Sequence, residues 1–166
     1  DFTPDIVYEK VFKKSLFLDL TNIYEFIESN IFKKSLRRNG TFQEDIICNY
    51  PLWSIRELVF NAIIHRDYES NAPILIYDFS DRLEIKNPGY LYGQAVKENF
   101  PNVSDYRNLE IAEALKVLGY INKFNFGIRN AITFLRENGN PDPIFDLTLV
   151  TAFKVTIPIK KQWHNE

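Results

Sequence analysis

One stretch constrains this chain more than any other: Ser54-Ile-Arg-Glu-Leu-Val-Phe-Asn-Ala-Ile-Ile-His65. Its apolar positions Ile55, Leu58, Val59, Ala62 and Ile63 recur at helical spacing, so it reads as a helix from near Ser54 to His65. Glu57, Asn61 and His65 stand at i, i+4 and i+8, each about 40° round the helix from the last, so three polar side chains share one face and the opposite face is aliphatic. A carboxylate, a carboxamide and an imidazole stacked in this way can supply a base that orients water, an oxygen ligand for a hard cation such as Mg²⁺, and a phosphate contact. The same residues admit a plain structural account: Glu57 as a helix cap, Asn61 satisfying nearby backbone, His65 favoured at the C-terminal end by the helix dipole. Spacing alone leaves both open. The first residue of the helix is open by a turn as well, because Pro51 suits an initial turn while Ser54 with Glu57 suits a capping box.

Around this helix the chain reads as a single domain over residues 1–166, long enough to hide roughly 70% of its unfolded surface. With 14 Phe and 9 Tyr it has an aromatic-rich core, which excludes disorder. No apolar run is long enough for a membrane span and no signal peptide opens the chain, so a cytoplasmic protein is expected. The single Cys48 has no internal partner for a disulfide, and no Cys/His cluster suggests structural zinc. A net charge of −2 gives no general positive field for nucleic acid. Lys33, Lys34, Arg37 and Arg38 form one local basic cluster, read chiefly as a solvated strand or helix end, with DNA contact as the lesser reading. Because no methionine occurs, even at position 1, the chain is expected to be a piece of something longer.

Leu20 to Asn30 places Ile23, Phe26 and Ile27 as a short amphipathic helix, and Asn39-Gly40 marks a turn between strands Ile31 to Arg37 and Thr41 to Ile47. Ala72 to Phe79 and Arg82 to Lys86 read as strands, stopped by Asn87-Pro88-Gly89. Gly89 to Arg107 has little periodicity and contains Gly93 and Pro101, the pattern of a long irregular lid. Asn108 is expected to cap a helix carrying Ile111, Ala112, Leu115 and Leu118, which Gly119 ends. A further helix runs from about Gly127 to Glu137, and Ile144 to Val150 with Phe153 to Ile159 closes the chain as a hairpin. The order implies an α+β fold: a two-layer α/β sandwich with helices on one face of a mixed, mostly antiparallel sheet.

The run from Ser54 to Tyr68 resembles the segment that marks the C-terminal ATPase-like domain of RecG-related bacterial proteins, which are described as ATP-dependent helicases or transcriptional regulators. It is also similar to the N-box of the wider GHKL (Bergerat-fold) ATPases. Asp81-Arg-Leu-Glu-Ile-Lys-Asn-Pro-Gly89, Arg107-Asn108, Leu118-Gly-Tyr-Ile121, Gly127-Ile-Arg129 and Phe153-Lys-Val-Thr-Ile157 follow in the family's order, so the likeness spans nearly the whole chain. It implies ATP and Mg²⁺ as ligands, with Glu57 at the position that activates water and Asn61 at the one that holds Mg²⁺. His65 and Arg66 match positions able to meet phosphate. Asn87 and Gly89 fall where the family carries an Asp-x-Gly box for the adenine, and Gly93 lies just beyond in the lid. Asparagine in place of aspartate keeps an acceptor but loses the charge. Asn125-Phe126-Gly127-Ile128 stands where related sequences read Gly-Thr-Gly-Ile, keeping Gly127 as the one glycine of the two.

These departures leave weak ATP turnover open and favour nucleotide binding over hydrolysis. Helicase activity is excluded for this piece, since it has no Gly-x4-Gly-Lys-Ser/Thr loop. The resemblance implies contact with DNA only through domains outside this sequence, with a homodimer as one assembly. The competing reading is a non-catalytic dimerisation or interaction module with a degenerate nucleotide site.

Overall fold

A computed structural model describes residues 6–8, 16–38, 40, 43–103, 105–121 and 127–164. The elements in order are β1 (Ile6–Tyr8), α1 (Leu16–Phe26) running into a π-helical turn at Ile27–Ile31, β2 (Lys34–Arg38), β3 (Glu44–Cys48) and α2 (Leu52–His65). Then come β4 (Leu75–Phe79), β5 (Arg82–Pro88), α3 (Leu109–Val117), α4 (Gly127–Asn138), β6 (Ile144–Asp146), β7 (Ala152–Pro158) and a 3₁₀ turn at Lys161–His164. The main sheet has the order β1-β4-β5-β7-β6, and β2 with β3 forms a separate ribbon. The fold is α+β, a sheet layer beneath a helix layer, and every pairing among the described strands is antiparallel.

The central strands show why the sheet has one wet and one dry face. Along β5, Leu83, Ile85 and Asn87 are at most 2% exposed, and across the register they meet Ile157, Val155 and Phe153 of β7. Period-two alternation thus drives Asn87 inward with the aliphatic residues that precede it. Above this face lies α2, buried over most of its circumference by Ile55, Leu58, Val59, Phe60, Ala62, Ile63 and Ile64. It packs on α4, where Ala131 and Leu135 are fully buried one turn apart.

The chain enters α2 from Pro51, so the Pro51 start holds and the capping-box alternative does not. Ser54 sits within the helix, and its hydroxyl donates instead to the Ala131 carbonyl of α4 at 2.9 Å. The expected cap at Asn108 is also corrected. Its side chain makes no cap bond to α3; the amide turns back to donate to the carbonyls of Ile64 at 2.8 Å and Arg66 at 2.7 Å. The end of α2 has carbonyls without helical partners, and a buried carbonyl left unbonded costs more than an exposed helix start does. Gly119 (φ +77°) ends α3 as expected, with Tyr120 N–H donating to Leu115 O at 2.8 Å.

The amphipathic helix begins earlier than its periodicity suggests, at Leu16, and β1 has no counterpart in the sequence reading. In the ribbon the Asn39-Gly40 turn falls partly outside the described residues, since only Gly40 (φ +80°) is described. The basic cluster does not form one patch: Lys34 and Arg38 project from the opposite side of β2 to Arg37, and Arg38 stands 3.8 Å from Glu44 across the ribbon. At the ribbon's base, Asn49 Oδ1 accepts from Lys33 N–H (2.8 Å) and Tyr50 N–H (2.9 Å), and Asn140 donates to Asn49 O at 2.9 Å, fastening the ribbon to the end of α4. Among the described residues no helix is long and apolar enough to cross a membrane.

Candidate functional site

The polar stripe of α2 opens on a hollow bounded by β5 and β7 below, the start of α4 at one side and residues 90–103 with Tyr106 above. Glu57, Asn61, His65, Asn87 and Gly127 all line it, so five of the candidate residues, drawn from three elements, converge. The hollow is narrow. Its volume of about 90 Å³ falls below the roughly 300–1,000 Å³ of small-molecule sites, and its walls carry Phe60, Tyr90, Tyr92, Phe100, Tyr106 and Phe153.

Glu57 is held rather than free. Its Oε1 accepts from Arg56 Nη1 at 2.7 Å, and its side chain is 18% exposed. Burial pushes its carboxyl above the usual carboxylate range and the Arg56 cation opposes that shift. Arg56 lies over the rings of Trp53 (4.7 Å) and Phe60 (4.8 Å) and donates a second bond to Tyr120 O. The other oxygen of Glu57 reaches α4, where a Cβ added to Gly127 would lie 3.2 Å from Oε2. A side chain at the first residue of that helix would crowd the carboxylate, which would have to give by a few tenths of an ångström.

Asn61 differs. Among the described residues its carboxamide makes no hydrogen bond, and it stands half-buried on the wall of the hollow, one turn from Glu57. Asn87, 2% exposed, donates weakly to Pro88 O at 3.4 Å, and no described group donates to its oxygen. His65 stacks on Tyr106 with ring centroids 5.7 Å apart. Burial and the Arg107 cation, against Asp105, depress its pKa to about 4, so the imidazole is neutral near pH 7. It is then a hydrogen-bonding group and carries no charge for phosphate.

Arg66, Gly89 and Gly93 lie outside this lining. Arg66 donates to Ser70 O (3.3 Å) and Ala72 O (2.8 Å), holding the loop after α2. Gly89 (φ +98°) is packed from within: a Cβ there would come to 3.1 Å from Asp67 and 3.3 Å from Arg107 Nε. A Cβ on Gly93 would run into the Asp105 carboxylate. Asn125 and Phe126, the departures in the second glycine segment, fall outside the described residues.

From 89 to 107 the described residues form neither helix nor strand, as the aperiodic sequence suggested. The segment is nevertheless fastened. The Phe100 ring packs edge-on against Phe145 (5.0 Å) and Phe153 (5.7 Å), Tyr90 Oη donates to Leu147 O at 2.8 Å, and Arg107 Nη2 donates to Tyr90 O at 3.2 Å. Sequence reasoning missed Arg56 and Phe100. The spacing of Trp53, Arg56 and Phe60 at i−3, i and i+4 was a usable signal for the first, since it stacks two rings along the path of the guanidinium.

The comparisons with known proteins bear on this geometry. A family model described as "Putative ATP-dependent DNA helicase recG C-terminal" matches residues 71–157, just over half the chain. The chain belongs to that family. It is therefore an ATPase-like domain of the RecG-related kind. A solved structure, that of the DIP2311 protein from Corynebacterium diphtheriae, superposes with a TM-score of 0.80 over 94% of this chain at 21% identity. That likeness shows the fold, and this chain spans 33% of that protein's length. No curated protein matches the chain.

Proposed function

We propose that this RecG-related domain binds Mg-ATP in the hollow beside α2 and that closing of the 89–107 segment over the nucleotide signals to attached domains. The observation that carries the reading is the convergence of Asn61, whose carboxamide is unbonded among the described residues, with Glu57, Asn87 and Gly127 on one hollow. Mg²⁺ keeps most of its ligands as water and phosphate oxygens, so one carboxamide oxygen is a sufficient protein share. Asn61 would hold the cation, which when bound neutralises phosphate charge. The oxygen of Asn87 would accept from the amino group of the base, and the N-terminus of α4 at Gly127 would face phosphate. Glu57 is the residue for orienting water, in a reaction slowed by its pairing with Arg56. Room for a nucleotide comes from the lid: Tyr90, Tyr92, Phe100 and Tyr106 supply much of the wall, and lifting them widens the hollow. In the intact protein DNA would be met by domains beyond this segment.

Calorimetry with Mg-ATP on the unaltered protein and on Asn61→Ala tests this. Saturable heat from the first and a loss of tenfold or more in affinity for the second is the expected result; equal weak heats from both refute it.

One arrangement favours a second reading, a non-catalytic interaction or dimerisation module. Glu57 is engaged by Arg56 and leans over the start of α4, while aromatic rings narrow the hollow. A protein of that kind shows no rise in melting temperature with millimolar Mg-ATP, whereas ligand at a hundred times its Kd adds about 2.7 kcal/mol.

A further inference from the structure

On the far side of Phe60 from the nucleotide hollow, the apolar stripes of α1 and α2 face each other and leave a gap between them. The space between them is about 290 Å³, some three times the volume of the hollow beside Asn61. It is a partly open pocket: Leu20, Ile27, Val59 and Ile63 line it and each is at most 5% exposed, while Thr21 and Tyr24, also in its lining, are exposed. Protein interiors pack as densely as organic crystals.

Arg56 is the single charged residue in this lining. A guanidinium has five N–H groups, and the bonds of Arg56 to Glu57 and to Tyr120 O engage one on Nη1 and one on Nη2. Donors remain for a further acceptor, and the planar fork is suited to a carboxylate. The neighbouring walls are hydrocarbon and aromatic. A ligand complementary to such a space is apolar for most of its length and anionic at one end.

We propose that the cavity between α1 and α2 binds an apolar monocarboxylate, its hydrocarbon filling the gap between the helices and its carboxylate meeting Arg56. This binding is independent of the nucleotide reading; only an effect on Glu57, which shares the same guanidinium, depends on it.

Decanoate below its micelle concentration is the probe, titrated by calorimetry without nucleotide, with decanol as the uncharged control. Decanoate is expected to bind at least tenfold more tightly than decanol. Arg56→Gln should abolish that margin while decanol binding persists, and Thr21→Phe, which places a ring at the rim of the cavity, should weaken both ligands tenfold or more. Should Thr21→Phe fail to fold by circular dichroism, Ile23→Phe fills the same space. Methyl NMR shifts of the unaltered protein with decanoate should centre on Leu20, Ile27, Val59 and Ile63. Absence of binding, equal affinity for acid and alcohol, indifference to the filling variants, or shifts confined to other regions would overturn the proposal.

Discussion

Glu57 and Gly127 touch across the junction of α2 and α4: a methyl group on the glycine would come within 3.2 Å of the carboxylate oxygen Oε2. The clash is with the end of a flexible side chain, so Gly127→Ala is expected to fold with a stability change under about 1 kcal/mol, alanine being the better helix former. Because the carboxylate at the wall of the hollow must then shift by a few tenths of an ångström, affinity for Mg-ATP should fall modestly. Thermal unfolding and calorimetry on the same preparation separate the two effects.

Asn108→Ala withdraws both donors from the end of α2, leaving the carbonyls of Ile64 and Arg66 without that partner. Two such losses amount to about 2 kcal/mol. A urea midpoint lowered with the m-value unchanged is the expected readout.

His65 should titrate by NMR near 4 rather than at its ordinary 6.5. The folded protein then binds fewer protons than the unfolded chain between those two values. This contribution to stability is complete above about pH 6.5 and is lost as pH falls toward 4, by up to about 3 kcal/mol. Asp78 acts in the opposite sense, since burial lifts its carboxyl to about 6 and its folded state holds a proton more tightly. Charging it costs stability as pH rises from 3.8 through about 6. His65→Gln should therefore flatten the acid side of the stability profile. Asp78→Asn should raise stability at pH 8 by about 1 kcal/mol, the figure being reduced for solvent near the carboxylate. Guanidinium unfolding at a series of pH values checks both.

Asn87→Asp restores the residue of the related Asp-x-Gly box but puts a carboxylate on the buried face of β5, against Phe153. Its expected cost grows as pH rises above the carboxyl's own raised pKa, reaching about 1–3 kcal/mol at pH 8. A variant equally stable at pH 5 and pH 8 would show that the side chain reaches water.

The parts of this site carried by one helix or one strand were legible in the sequence. Four-residue spacing puts Glu57, Asn61 and His65 on one face, and alternation through Leu83 and Ile85 carries Asn87 inward. What joins separate elements was not. Gly89 and Gly93 looked like ligand approaches, yet the space a side chain would need is taken by Asp67 and Arg107 in one case and Asp105 in the other. Arg56 and Glu57 point about 100° apart on an ideal helix, and only the two rings and Tyr120 O bring the guanidinium back to the carboxylate. Asn108 reads as a cap by its place in the chain, but the unsatisfied end of a helix 44 residues earlier claims its amide.

The buried bond from Ser54 to the Ala131 carbonyl has a mechanical consequence. It lies one turn before Glu57 on α2 and one turn after Gly127 on α4, so it ties the two helices together close to the hollow. At the other end of α4, Asn138 donates to Cys48 O and Asn140 to Asn49 O, gripping the base of the β2–β3 ribbon. One helix, fastened near both of its ends, thus joins the wall of the hollow to the ribbon.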